Sequence, residues 1–317
     1  MQDQYGRQIN YLRISITDRC NLNCIYCKPE INLKYKHEDI LTYEEILEVC
    51  KACINLGITR FKITGGEPLM RKDWLNFLCR LQSLSGAESV SLTTNGVYLE
   101  EYLPALEKIK ISGINISLDT LDKEKYQKIT GFDKLEQVQK NIYSAVEMGL
   151  NIKLNCVPLA DITAEELWQL VQFADSLKVP LRFIELMPLA CNQKLQGLSG
   201  GKIRQMLADR GIYLSKSSKI YGNGPAVYYQ SDKLQIPVGF IEPLHGKFCH
   251  VCNRIRLTSA GFLKTCLYSN AGADVKEVLR SGQGRLSDII RQTVYGKPQS
   301  HNFENRPAIF QMNEIGG

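Results

Sequence analysis

From residue 11 the chain alternates apolar and polar positions with a period of two. Leu12, Ile14 and Ile16 interleave with Arg13, Ser15 and Thr17, which predicts a strand over 11–17 with one greasy and one polar face. The period then lengthens. The stretch "TYEEILEVCKACINLG" (42–57) predicts a helix that opens on Thr42 and Glu45 in capping-box spacing and stops at Gly57. Strands follow at 58–64, 89–96, 113–119, 151–159 and 180–189, and helices at 74–84, 99–109, 136–150 and 164–177. Strands that alternate with helices predict parallel βα units. Six such units in about 190 residues predict an α/β fold, an incomplete (β/α)6-type barrel rather than a closed eight-fold one. Right-handed crossovers with short connections bring the strand ends to one side.

The alternation carries a second message. Arg60, Lys62 and Thr64 share a face, as do Ser91, Thr93 and Asn95, then Asn115, Ser117 and Asp119, then Lys153 and Asn155. A parallel sheet covered by helices on both sides should be apolar on both sides. Here helices can cover only one, so the polar faces predict a wide, wet or ligand-filled cavity; the plainer alternative is a set of edge strands with a solvated face. After residue 190 the pattern changes. A Gly-rich link "LACNQKLQGLSGG" leads into a short helix "KIRQMLADRG", two antiparallel strands "AVYYQ" and "IPVGFIEP", and helices "DVKEVLRSG" and "LSDIIRQTVYG". This predicts a division into residues 1–190, a partial barrel, and 191–317, a smaller α+β region.

Composition narrows the classes. The 317 residues carry a net charge of +6, modest for that length and no nucleic-acid signature in itself. It suits a small polyanionic substrate. No run of eighteen apolar residues predicts a membrane span, and the first residues lack an apolar leader, so a cytoplasmic protein is expected. Eleven cysteines, an odd number, suit metal ligation better than a disulfide framework. Cys50, Cys53, Cys79, Cys156 and Cys191 lie in apolar or unclustered settings and read as ordinary packing residues.

The other six form two groups. Cys20, Cys24 and Cys27, in "TDRCNLNCIYCKPE", follow the first strand directly, on the side where a barrel of this kind places its site. Three ligands leave a coordination position open on an iron–sulfur cluster, whereas a closed zinc site wants four. "TGGEP" (64–68) ends the second strand; its glycines admit close approach, and its Glu67 carboxylate suits an ammonium group. Cys249, Cys252 and Cys266 in "FCHVCNRIRLTSAGFLKTC" again number three. A zinc ribbon remains open there, with His245 or His250 as fourth ligand, although Arg254 and Arg256 beside the cysteines suit a phosphate or nucleobase oxygen better. The chain ends "NEIGG", a tail that is either a frayed end or reaches into a site.

These motifs resemble the radical S-adenosylmethionine superfamily, and within it the branch that cyclises GTP to open molybdenum cofactor biosynthesis. The likeness runs from "GRQINYLRISITDRCNLNCIYC" through "GGEPLMR", "TTNG", "ISLDTL", "KLNCV" and "RFIELMPL" to "FCHVCNRIRLT" and the terminal glycines. It implies two [4Fe–4S] clusters, one on Cys20, Cys24 and Cys27 and one on Cys249, Cys252 and Cys266. The first chelates S-adenosylmethionine and, once reduced, splits it to a 5′-deoxyadenosyl radical. The second binds the guanine of GTP. The radical takes hydrogen from ribose C3′, which then bonds to guanine C8, giving (8S)-3′,8-cyclo-7,8-dihydroguanosine 5′-triphosphate. Carried over by motif, Tyr26, Gly66, Glu67, Ser117 and Met187 are expected at S-adenosylmethionine. Arg13, Arg60, Lys62, Thr93, Lys153, Arg182, Arg254, Ile255 and Arg256 are expected at GTP, with Arg13, Gly316 and Gly317 taking part in catalysis. The resemblance also implies a homodimer, an electron-donor protein, and cyclic pyranopterin monophosphate synthase downstream, with neither membrane nor nucleic acid as partner. Two departures stand out: Lys62 occupies a place where arginine is expected, and the link after Met187 is short and contains Cys191. A peptide-modifying radical enzyme with auxiliary clusters would carry more C-terminal cysteines. A metal-binding interaction protein would need neither TGGEP nor a basic cavity.

Overall fold

In the computed structural model, residues 1–27, 35–189, 191–219, 221–301 and 312 are described. Six strands follow the expected order: β1 (Tyr11–Ser15), β2 (Arg60–Thr64), β3 (Ser89–Thr94), β4 (Gly113–Ser117), β5 (Ile152–Cys156) and β6 (Leu181–Ile184). Each pairs in parallel with the next. Between them run α1 (Tyr43–Asn55), α2 (Trp74–Gln82), α3 (Leu103–Lys108), α4 (Lys123–Thr130), α5 (Leu135–Glu147) and α6 (Ala164–Ser176). The α1 capping box closes as its spacing predicts. Glu45 N donates to Thr42 Oγ1 at 3.1 Å, and Thr42 N donates to Glu45 Oε2 at 2.7 Å. The short α4 was not expected. It buries only Tyr126, Ile129 and Thr130, too few for a helical stripe, and forms between an Asp122 N-cap and Gly131 at φ 80°.

The C-terminal region adds α7 (Gly200–Ala208), β7 (Ser215–Lys216), β8 (Val227–Gln230), β9 (Val238–Ile241), β10 (Arg254–Leu257), β11 (Phe262–Lys264), β12 (Gly272–Asp274), α8 (Val275–Ser281) and α9 (Leu286–Tyr295). The expected β8–β9 pair is antiparallel. What sequence reading did not foresee is where this region attaches. β9 pairs in parallel with β6, and β10 in parallel with β1, one on each side of the six-stranded core. The described strands therefore form one sheet, in the order β12-β11-β10-β1-β2-β3-β4-β5-β6-β9-β8-β7, which crosses the division at residue 190 twice. The core lies on the helix-covered face, where Leu12, Ile14, Phe61, Ile63, Leu92, Ile114, Leu154 and Leu181 are fully buried. Pairing keeps the parity of the faces. Arg13 stands opposite Lys62 and Arg256, Asn115 opposite Lys153, and Asn155 opposite Arg182. The polar positions thus share one continuous surface.

Candidate active site

At the C-terminal end of β1 the chain turns through Thr17, Asp18 and Arg19 into the loop of Cys20, Cys24 and Cys27. The diglycine after β2 lies against that turn. Gly66 N donates to Thr17 O at 2.6 Å and Glu67 N to Arg19 O at 2.7 Å. A Cβ on Gly65 would meet Thr17 O, and one on Gly66 would overlap Arg19 O. The glycines therefore admit the chain's own cysteine loop, which is a more local reason for them than close approach of a ligand. Glu67 also departs from expectation. Its buried carboxylate accepts from Leu69 N at 3.1 Å, Thr94 Oγ1 at 2.8 Å and Asn95 N at 2.7 Å. It ties the β2 turn to the end of β3 instead of offering free oxygens to an ammonium group. Burial raises its pKa to about 7, against the pull of those three donors.

The same loop is held from two other sides. Asn95 Nδ2 donates to Asn21 Oδ1 at 2.8 Å and lies 3.7 Å from Cys20 Sγ. Tyr26 OH donates to Asp119 Oδ2 at 2.5 Å, while Asp119 Oδ1 accepts from Val157 N at 2.8 Å. Burial lifts Asp119 to about 6 despite these donors. Cys191, expected to be an ordinary residue, points its thiol at the carbonyls of Tyr26 and Cys27, 3.7 Å from each, and Asn192 Nδ2 donates to Tyr26 O at 3.1 Å and Met187 O at 3.1 Å. Ser117 and Met187 are half-buried at the ends of β4 and β6, on this side of the sheet.

Down the polar face from this loop stands a group of cations. Burial comes first, then Arg182, Arg13, Lys153 and Arg254, in drawing the Lys62 pKa well below its ordinary value. Burial, then Arg13 and Arg254, do the same to Arg256, and Arg13 falls to about 10, burial again the main cause. Lys153 is lowered by burial and Arg182. Arg182 is fixed by Asn155 Oδ1 at 2.8 Å and Asn115 Oδ1 at 2.5 Å, and Asn115 Nδ2 reaches Thr93 Oγ1 at 3.3 Å. Gly239, the register partner of Arg182, leaves room for the Arg182 and Tyr228 side chains. Cations held this close oppose one another, and a multivalent anion relieves the opposition.

The second cysteine group lies at the other end. Cys249 and Cys252 precede β10, and Tyr11 N, at the start of β1, donates to Asn253 O at 3.2 Å. Cys266 follows β11, which runs antiparallel to β10 and so returns to the same end. The two groups therefore bracket the polar face, one beyond residue 17 and one level with residue 11. At about 3.3 Å per residue they stand roughly 20 Å apart along the strand. Cys252 and Cys266 both act electrostatically on Arg256, and on Cys249. Burial pushes Cys252 up, but Arg254 and Lys297 outweigh it and bring the thiol to about 7. Of the two histidines a zinc ribbon would use, His245 Nδ1 contacts Glu185 Oε1 and His250 is exposed. Among the described residues no three His, Cys, Asp or Glu side chains converge as on a single metal ion.

Comparison with known proteins gives the family. The radical SAM superfamily model matches residues 14–174, and that for molybdenum cofactor synthesis C matches 179–303. A protein of Peptoclostridium acidaminophilum named GTP 3′,8-cyclase is 40% identical over 318 residues, covering 99% of this chain and 98% of its own. One of the same name from Clostridium perfringens (strain SM101 / Type A) is 36% identical over 323 residues, covering 100% of both. The chain belongs to the GTP 3′,8-cyclase family of radical S-adenosylmethionine enzymes. Among solved structures, Streptococcus suis SuiB bound to S-adenosylmethionine superposes with a TM-score of 0.67 at 16% identity, covering 91% of this chain and 67% of SuiB. Native anSMEcpe with bound AdoMet gives 0.59 at 19%, covering 92% and 82%. Both share the fold.

Two [4Fe–4S] clusters and S-adenosylmethionine are the cofactors of this family, and the residues present fit them. Each cysteine group supplies three thiols, and amide donors from Leu22 and Asn95 approach Cys20 Sγ. Two expected substrate residues are placed elsewhere. Arg60, at the far rim of β2, is taken by Glu88, Nε to Oε2 3.2 Å. Ile255 is fully buried in the apolar core opposite Leu12, because an odd step along β10 points its side chain away from the polar face. Gly316 and Gly317 lie outside the described residues. Tyr11 was missed, although it stands two residues before Arg13 and so on the same face. It is buried there beside Ser91, with burial raising its pKa and Arg13 and Arg254 opposing that rise.

Proposed function

We propose that this chain converts GTP to (8S)-3′,8-cyclo-7,8-dihydroguanosine 5′-triphosphate, the opening step of molybdenum cofactor biosynthesis. The observation that carries the proposal is the row of mutually opposed cations on the polar face between two three-cysteine groups at opposite ends of the strands. When bound, the reduced first cluster and S-adenosylmethionine supply the organic radical that takes hydrogen from ribose C3′. Everything else is positioning. Lys62, Lys153 and Arg182, with Arg13, Arg254 and Arg256, neutralise and orient the triphosphate, each contact gaining strength from burial. Arg254 and Arg256 alternate on β10 and place the base end of the nucleotide toward the second triad, while Tyr26 and Asp119 hold the first loop in register with the end of β4. We assign S-adenosylmethionine to the neighbourhood of Tyr26, Gly66, Ser117 and Met187, and GTP to that of Arg13, Lys62, Thr93, Lys153, Arg182, Arg254 and Arg256. Arg13 and the terminal glycines complete the catalytic set.

A homodimer, a cytoplasmic location, an electron-donor protein and transfer of the product to cyclic pyranopterin monophosphate synthase belong to the same proposal. Among the described residues no helix is long and apolar enough to cross a membrane. The test is whether 5′-deoxyadenosine formation by the iron-loaded protein depends on GTP. Equal formation with GTP, ATP or no nucleotide would count against a guanine-nucleotide substrate.

A further inference from the structure

Arg7 belongs to a stretch, "GRQINYLRIS", whose later arginine the active site uses; Arg7 itself points elsewhere. Its guanidinium is almost fully buried, and each of its five N–H donors has an acceptor. Nε meets Asp3 Oδ2 at 2.6 Å, Nη1 meets Cys249 O at 2.8 Å and Gln299 O at 2.9 Å, and Nη2 meets Pro298 O at 2.7 Å and Lys297 O at 3.4 Å. Asp3 in turn accepts from Tyr5 N and Arg7 N, both at 3.0 Å, which closes the N-terminal turn around the pair. Lys297, held through its carbonyl by Arg7, is also buried. Its ammonium donates to Arg254 O at 3.0 Å and to Thr265 O. These carbonyls come from segments far apart in sequence that share one feature. Cys249 is itself a member of the second triad, Arg254 follows Cys252 by two residues, and Thr265 immediately precedes Cys266.

We infer that Arg7 and Lys297 form a buried two-cation clamp that positions the second cysteine triad from behind, Arg7 through the backbone of Cys249 and Lys297 through the backbones beside Cys252 and Cys266. The inference rests on reading that triad as a cluster site. A saturated guanidinium fits a positioning role because its planar fork fixes the directions of five bonds at once, which an ammonium cannot do. Outer contacts of this kind hold ligands in the arrangement a metal group needs, and losing one typically costs about 10- to 100-fold in metal affinity.

The test uses the full-length chain in two backgrounds. In one, Cys20, Cys24 and Cys27 are replaced by serine, so iron reports the second triad alone; in the other, Cys249, Cys252 and Cys266 are replaced, so iron reports the first. Arg7→Ala, Arg7→Lys and Lys297→Met are introduced into each, and the rate of iron loss to a chelator is measured after anaerobic reconstitution. The clamp predicts about 10- to 100-fold faster loss for Arg7→Ala and Lys297→Met in the first background. Arg7→Lys, which keeps the charge on Asp3 but not the fork, should fall between, and the second background should be unaffected. Equal iron retention with and without the substitutions would overturn the inference. Equal acceleration in both backgrounds would also overturn it, since that marks a general loss of stability. If the unsubstituted first background holds no iron at all, the reading of the triad as a cluster site fails, and the clamp with it.

Discussion

Lys62→Met separates binding from stability in one residue. Lys62 sits on β2 among Arg13, Lys153, Arg182 and Arg254, and burial plus those four charges draw its pKa well below the ordinary value. In the absence of substrate its charge is a liability. Replacing an unfavourably placed buried charge by an apolar side chain of similar length is neutral to stabilising, so Lys62→Met should unfold at the same or a higher temperature than the parent. With substrate the balance reverses. A hydrogen bond from an ammonium to phosphate contributes about 1.5–3 kcal/mol, equivalent to roughly a 10- to 150-fold change in Kd. The pH dependence has a definite sign. A lysine with a depressed pKa in the fold opposes folding most at low pH, and that opposition fades as pH rises from the depressed value toward about 10.4. Any stability advantage of Lys62→Met should therefore shrink as pH rises. GTP favours the ammonium, so parental affinity should fall over the same range, while Lys62→Arg, always charged, should fall less. Calorimetric titration of GTP and thermal unfolding across that range test both arms. A variant that unfolds earlier at neutral pH yet binds GTP within about twofold of the parent would refute the reasoning.

Other outcomes follow from the same geometry. Gly66→Ala drives a methyl into the Arg19 carbonyl and should cost about 1–3 kcal/mol, read by denaturant unfolding, with loss of iron from the first triad; full stability and iron content would contradict the packing. Arg182→Lys loses the planar fork whose Nε and Nη2 reach Asn155 and Asn115 separately and should raise KM for GTP by about tenfold or more while leaving iron content intact. Cys24→Ala should abolish cleavage of S-adenosylmethionine but keep the second cluster. Cys249→Ala should stop cyclisation while some uncoupled cleavage survives, and normal cyclisation there would make the second group merely structural.

Much of this was legible because the period of the pattern and the side of the sheet are the same fact. The alternation of Leu12, Ile14 and Ile16 with Arg13, Ser15 and Thr17 gave both the strand and its polar face, and register then placed Arg13 beside Lys62. What stayed hidden depended on long-range pairing. β10 lay inside a cysteine motif, where "NRIR" looked like a pair of arginines beside a metal; its own alternation would have turned Ile255 inward. No local signal joins β10 to β1 across more than two hundred residues, and so none placed the second triad at the opposite end of the strands. Glu67 misled for a different reason. A carboxylate after two glycines suggests a ligand, but its partners, Thr94 and Asn95, come from the neighbouring strand end.

The central claim is that this polar face holds GTP with its ribose within reach of the radical formed at the first cluster. Reduced, iron-loaded protein supplied anaerobically with S-adenosylmethionine and GTP bearing deuterium at C3′ tests it directly. Deuterium is expected in the 5′-deoxyadenosine, together with a nucleotide of altered connectivity that no longer behaves as GTP. Unlabelled 5′-deoxyadenosine alongside unchanged GTP would contradict it.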